Sequence, residues 1–207
     1  TAELEAALKA QRIDLAVHSL KDLPTQDTPG LVIAAVSERA TPNDALVSQH
    51  KSLADLPKGA KVGTSSLRRR AQLLARRPDL EIVDIRGNVE TRIKRTKDGT
   101  CEAAVLAMAG LERVDLVHEV AEILAPHIML PAAAQGALGI QCREDDDDAR
   151  YLLTKVHDKT TALLTKAERA LLHALGGGCH VPLGVLTVEE HGTLQLNARV
   201  CSLDGKR

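Results

Sequence analysis

A chain of 207 residues can bury a substantial core, either as one large domain or as two to three small ones. Its 27 Lys and Arg against 28 Asp and Glu leave a formal net charge of -1. No overall basic field exists to draw nucleic acid or an anionic membrane, so any anion site must be built locally. Phe and Trp are absent and Tyr151 is the sole aromatic residue. The core must therefore be aliphatic, and the stacking platforms that single-stranded nucleic acid uses are missing. No apolar run approaches the length of a membrane span.

Thr1 opens into a charged stretch that reads as a helix rather than as a signal or transit peptide. Short aliphatic runs then recur ahead of amphipathic ones: IDLAVH, LVIAAV, DALV, KVGTSS before LRRRAQLLARR, EIVDIR before GNVETRIKRT, and AAVLAMAG before LERVDLVHEVAEIL. This alternation predicts an α/β architecture with mainly parallel, buried strands. Pro126–Pro131 and the acidic run Glu144–Arg150 are the expected connectors. The final segment, TLQLNARVCSLDGKR, alternates like an exposed antiparallel strand and ends in the turn pair Asp204-Gly205, with no returning strand after it.

Three junctions carry chemistry. In DLAVHSLKDLPT an apolar strand runs into His18, Ser19, Lys21 and Asp22 before Pro24 stops regular structure. Lys21 and Asp22 form either a plain surface pair or a group that stabilises positive charge and moves protons. His18 reads as a hydrogen-bonded structural histidine more readily than as a base.

In KVGTSSLRRRAQLLARR, Gly63 permits a tight turn, Thr64, Ser65 and Ser66 can cap a helix, and Leu67, Ala71 and Leu74 share one face. Arg68, Arg69 and Arg70 then fall in the first turn, where the helix dipole disfavours cations. Either an anion binds there or the run is a solvated basic face. At the third junction Arg86 ends the strand EIVDIR, Gly87-Asn88 turns, and Arg92 follows on the next helix. Arginine's planar fork suits a carboxylate ligand, against a surface ion pair of Arg92 with Glu90.

The four cysteines are widely spaced and form no CxxC pair, so no metal site is predicted and the thiols are expected reduced. Cys101 and Cys142 read as small buried hydrophobes, and Cys201, on the alternating strand, carries no signal. Cys179 differs. It lies in LGGGCHVPLG, where Gly176, Gly177 and Gly178 predict a tight exposed loop and His180 can raise its thiolate fraction.

Together VHSLKDLPT, VGTSSLRR, RGNVETR, PAAAQGALGIQCR and AERALLHALGGGCHVPLG resemble the porphobilinogen deaminase family over nearly the whole chain. The resemblance implies a transferase of tetrapyrrole biosynthesis that joins four porphobilinogen molecules, with loss of ammonia, into linear hydroxymethylbilane. It implies a dipyrromethane cofactor held by a thioether bond to Cys179, with Asp22 as the catalytic carboxylate. Ser19, Lys21, Thr64, Ser65, Ser66, Arg68, Arg69 and Arg86 would contact the cofactor, and Gln135 and Gly136 match a hinge-region segment near it. Arg69, Arg86, Arg92 and Arg113 would hold substrate carboxylates.

The implied fold is two periplasmic-binding-protein-like α/β domains plus a smaller α+β C-terminal domain, here truncated at both ends. Residues 1–40 and 137–155 would form the first, 41–136 the second, and 156–207 the third, which attaches the cofactor. The expected partner is porphobilinogen alone, on a monomer in the cytoplasm, or in a plastid if a transit peptide once preceded Thr1. The rival reading is a non-enzymatic oxyanion-binding protein of the same architecture, or an inactive fragment.

Overall fold

The computed structural model describes residues 1–176 and 181–207. They divide into two compact units, one of residues 1–40, 133–176 and 187–197, the other of 41–132, 181–186 and 198–207.

In the first unit, β1 (Ala16–Ser19), β8 (Leu138–Arg143) and β2 (Leu31–Val36) form a three-stranded sheet in the order β1-β8-β2. Both pairings are antiparallel, with His18 opposite Gly139 and a register shift between Ile33 and Ala35. Helices α1 (Ala2–Lys9), α5 (Asp147–Leu153) and α6 (Lys159–Ala174) pack on it. A Cβ at Gly139 would lie 2.9 Å from Leu20 Cδ1. That glycine therefore lets the turn after β1 settle against the sheet, with Leu20, Leu23, Val36, Ala134 and Ala137 as one buried cluster.

The second unit holds a five-stranded sheet in the order β5-β4-β6-β3-β7. Its strands are β3 (Asp44–Ser48), β4 (Lys61–Gly63), β5 (Glu81–Val83), β6 (Ala103–Ala107) and β7 (Val120–Leu124). Helices α2 (Leu67–Arg76), α3 (Val89–Lys97) and α4 (Met108–Arg113) accompany it. The core is wholly aliphatic, centred on Leu46, Val62, Leu73, Val105, Leu124 and Met129. Strands β9 (Leu183–Glu190) and β10 (Thr193–Val200) form a hairpin whose two-residue turn, His191-Gly192, sits at φ 53 and 75. That is the left-handed pair a type I′ turn requires.

Four expectations need correction. Among the described residues, the β4–β5 and β4–β6 pairings are parallel, whereas the β1–β8, β2–β8, β3–β6 and β3–β7 pairings are antiparallel. A strand covered on both faces reads as a continuous apolar run whatever its direction, and β3, with four of its five residues buried, is such a run. The stretch after AAVLAMAG is not one long helix. Helix α4 ends at Arg113, Asp115 takes φ 57, and residues 120–124 join the sheet beside β3.

The acidic run connects only as far as Asp146. There the Asp146 carboxylate accepts from Ala149 N at 3.0 Å, and Asp147 and Asp148 open α5, where the helix dipole favours acids. Cys201 lies just past the end of β10 and is buried. Asp204-Gly205 does form a turn: Gly205, at φ 72, donates its N–H to Ser202 O at 2.9 Å.

Cys101 and Cys142 are buried thiols, and burial pushes both above the ordinary cysteine range. The one aromatic ring, Tyr151, is 64% exposed. The Lys155 ammonium stands 5.2 Å from its centroid. Among the described residues, no helix is long and apolar enough to cross a membrane.

Candidate functional site

In the first unit, Ser19 ends β1 and passes directly into a single 3-10 turn, Leu20–Asp22. The turn is clamped from two sides. Leu20 N donates to Ala137 O at 3.0 Å, and Arg169 on α6 donates to the carbonyls of Leu20, Leu23 and Pro24 at 3.1, 3.0 and 2.6 Å. With Leu20 and Leu23 buried, Asp22 is left exposed on a held backbone.

Lys21 Nζ donates to Gln135 Oε1 at 3.3 Å. Gln135, itself buried, is held through its carbonyl by Arg39 Nε at 3.0 Å, and it sits between Ala134 at φ 61 and Gly136 at φ 94. The structure thus brings Ser19, Lys21, Asp22, Gln135 and Gly136 into one neighbourhood. His18 is buried, but its Nε2 has no partner among the described residues, unlike the hydrogen-bonded histidine expected.

Three residues that sequence reasoning passed over hold this neighbourhood: Arg39, Glu168 and Arg169. Glu168 is fully buried and accepts from both ends of the Arg39 guanidinium at 2.8 and 3.0 Å, and from the backbone N–H groups of Ala134 and Thr187 at 2.7 and 2.8 Å. A signal was present in the sequence. Thr161, Thr165 and Glu168 lie at helical spacing on one face of α6, and all three are buried.

In the second unit, β4 leads into the cap of α2. Thr64 Oγ1 accepts from Ser66 N at 3.2 Å, Ser66 Oγ from Arg69 N at 3.4 Å, and Ser65 Oγ donates to Ile85 O. Arg68 and Arg69 fit neither alternative raised for them, since both are buried on an anion that the chain supplies itself. Asp44, at the head of β3, takes Arg68 Nη1 at 2.6 Å and Arg69 Nη2 and Nε at 2.7 and 3.1 Å. Arg68 Nη1 also reaches Leu130 O at 2.6 Å, and Arg69 Nη1 reaches Val105 O at 2.9 Å. Burial alone would raise the Asp44 carboxyl; the two guanidiniums outweigh it and hold the group well below the usual carboxylate range.

Arg92, in the first turn of α3, is half-buried and donates through Nε to Gly87 O at 2.8 Å. The alternative of a surface ion pair with Glu90 is not formed among the described residues. Burial, and then the positive charge of Arg69, push the Arg92 guanidinium down, with Asp84 opposing them. Arg86 projects into solvent, its side chain 88% exposed and only 3.4 Å from Asp84. Arg113 is exposed at the end of α4. Thr64, Ser65, Ser66, Arg68, Arg69, Arg86 and Arg92 therefore belong to two adjoining strand ends, whereas Arg113 comes from a different one, after β6. Cys179 lies outside the described residues.

Residues 1–151 match the family model "Porphobilinogen deaminase, dipyromethane cofactor binding domain", and residues 162–207 match "Porphobilinogen deaminase, C-terminal domain". The porphobilinogen deaminase of Chloroherpeton thalassium is 50% identical over 208 residues, covering 100% of this chain and 66% of that protein. That of Gloeobacter violaceus is 50% identical over 212 residues, covering 100% of this chain and 65% of that one. The chain thus spans about two thirds of the length of the curated relatives it matches.

Two solved structures share the fold. The Methionine Binding Protein MetQ is 16% identical with a TM-score of 0.52, covering 82% of this chain and 78% of that one. A putative methionine-binding lipoprotein from Bacillus subtilis is 17% identical with a TM-score of 0.50, covering 81% and 80%. The architecture is accordingly a mixed α/β fold of the periplasmic-binding-protein kind, followed by a small C-terminal domain.

Proposed function

Since the chain belongs to the porphobilinogen deaminase family, we propose that it serves the stepwise joining of four porphobilinogen molecules, with loss of ammonia, into linear hydroxymethylbilane. The observation that carries this reading is the surplus of positive charge at the strand ends of the second unit. Arg68 and Arg69 share a single carboxylate, and Arg92 beside them is tied to a neutral carbonyl. A pyrrole with acetate and propionate arms supplies the missing anions, and the guanidinium fork matches each carboxylate with two parallel hydrogen bonds.

The residues present fit a dipyrromethane group with the same arms. Arg86 and Arg92 offer donors with accessible surface and Ser65 is exposed, its hydroxyl proton given to Ile85 O, while the buried Arg68 and Arg69 act through charge, tied to Asp44 inside the unit. Thr64 and Ser66 shape the loop that presents Ser65. Arg113 is assigned to substrate carboxylates. When bound through Cys179, the group supplies the nucleophilic carbon at its free end. Asp22 stands exposed on a clamped turn, a suitable carboxylate to stabilise positive charge as it develops on a pyrrole nitrogen and to move protons there. Lys21 and Gln135 fix one edge of that turn, with Ser19 as its hydroxyl and Gly136 giving the backbone its sharp bend.

We further assign residues 1–40 with 137–155, 41–136 and 156–207 to three domains, and place the protein in the cytoplasm as a monomer. Intact-mass measurement of the purified protein, with a colour reaction for pyrroles, is the test. An adduct with colour is expected, and a bare mass without colour would favour an oxyanion-binding protein. Asp22→Ala should retain the adduct and lose at least about two orders of magnitude in turnover; unchanged turnover would remove Asp22 from the mechanism.

A further inference from the structure

Within the first unit, a cavity of about 420 Å³ opens between α6 and the outer part of the sheet. It lies behind the turn that carries Asp22 and not on the side chains assigned above. Its floor is apolar, from Leu20, Ile33, Val36 and Ala162. Its rim is cationic. Lys166 forms no ion pair among the described residues, and Arg169 is bonded to three neutral carbonyls, with Asp27 as the charge that opposes it. Among the described residues that line the cavity, Asp27 is the one carboxylate, against these two permanent cations.

Two histidines complete the rim. His157 accepts from Val36 N at its Nδ1, which fixes its proton on Nε2, and His173 Nδ1 stands 3.3 Å from Thr25 Oγ1. An apolar floor under a net positive rim discriminates by both shape and sign.

We propose that this cavity is a binding site for a small amphipathic carboxylate, its apolar tail on Leu20, Ile33 and Ala162 and its anionic head at Lys166 and Arg169. The occupant presses on Leu20, whose carbonyl Arg169 also holds, so the site is mechanically continuous with the turn bearing Lys21 and Asp22. Any consequence for turnover rests on the function proposed above. The binding itself does not.

Octanoate, octanol and octylamine titrated calorimetrically into the 207-residue protein separate charge from apolar contact. Octanoate should bind, and octylamine should bind at least about fivefold more weakly, which is roughly one ion pair. Lys166→Glu, at an exposed position, should weaken octanoate by a similar factor and relieve the penalty on octylamine. Ala162→Trp should abolish binding by filling the floor. The methyl resonances of Leu20 and Ile33 should shift during the octanoate titration. Equal affinity for octanoate and octylamine, no heat with octanoate, or unmoved Leu20 and Ile33 methyls would each overturn the proposal. None of these readings uses turnover, so an inactive but binding protein and an active but non-binding one remain distinguishable.

Discussion

Asp44 in one unit and Glu168 in the other are both fully buried and both grip arginine, yet they leave different charges behind. Glu168 meets one guanidinium, and its remaining lone pairs are taken by backbone N–H groups, so the cluster is neutral. Asp44 meets two guanidiniums and the cluster keeps a net positive charge. The first arrangement ties chain segments together. The second does so while projecting a positive field toward the strand ends that carry Arg92, which is where the function proposed above would place its carboxylates.

Removing the carboxylates one at a time should expose this difference. Asp44→Ala strands two buried cations and should cost at least about 4 kcal/mol, measured by denaturant unfolding followed with far-ultraviolet dichroism. Acid probes the same group without mutation. Its folded carboxyl titrates below the unfolded value of about 3.9, so its contribution is complete above that pH and drains away as pH falls through the acid range. The Asp44→Ala protein should lose that part of its acid sensitivity.

Glu168→Ala strands one guanidinium and two N–H groups and should cost about 3 kcal/mol by the same measurement. If it proves costlier than Asp44→Ala, the count of unpaired charges does not govern the two clusters. Smaller still is the cap of α6, where Asp158 accepts from Thr161 N at 2.6 Å; Asp158→Ala should cost about 1 kcal/mol. Arg86→Ala should change stability by less than about 0.5 kcal/mol, because its side chain faces solvent, while weakening carboxylate binding in a salt-sensitive way.

The sequence made the local chemistry legible and hid the long-range partners. Gly63 through Ser66 read as a strand-to-helix cap because capping is decided within four residues, and the structure has that cap. The demand for an anion at Arg68 and Arg69 was equally local, but the group that meets it, Asp44, lies 24 and 25 residues upstream, at the head of an apolar strand where an aspartate looks like a turn residue.

Glu168 hid in AERA, a pattern that ordinarily decorates a solvated helix face. Leu116, Val117, Val120, Ile123 and Leu124 follow helical spacing, yet β3 had an unpaired edge to offer, and pairing there overrode the local period. Strand direction was not legible at all, since a run buried on both faces carries no mark of it.

Tyr151 has a practical consequence for anyone handling the protein. A single exposed phenol, with no indole anywhere in the sequence, leaves the near-ultraviolet spectrum almost empty. Absorbance at 280 nm is a weak gauge of concentration because one phenol carries it, and emission from that ring reports only on its own end of α5. The same optical silence is an asset, because any band appearing at longer wavelength belongs to a bound pigment and not to the polypeptide.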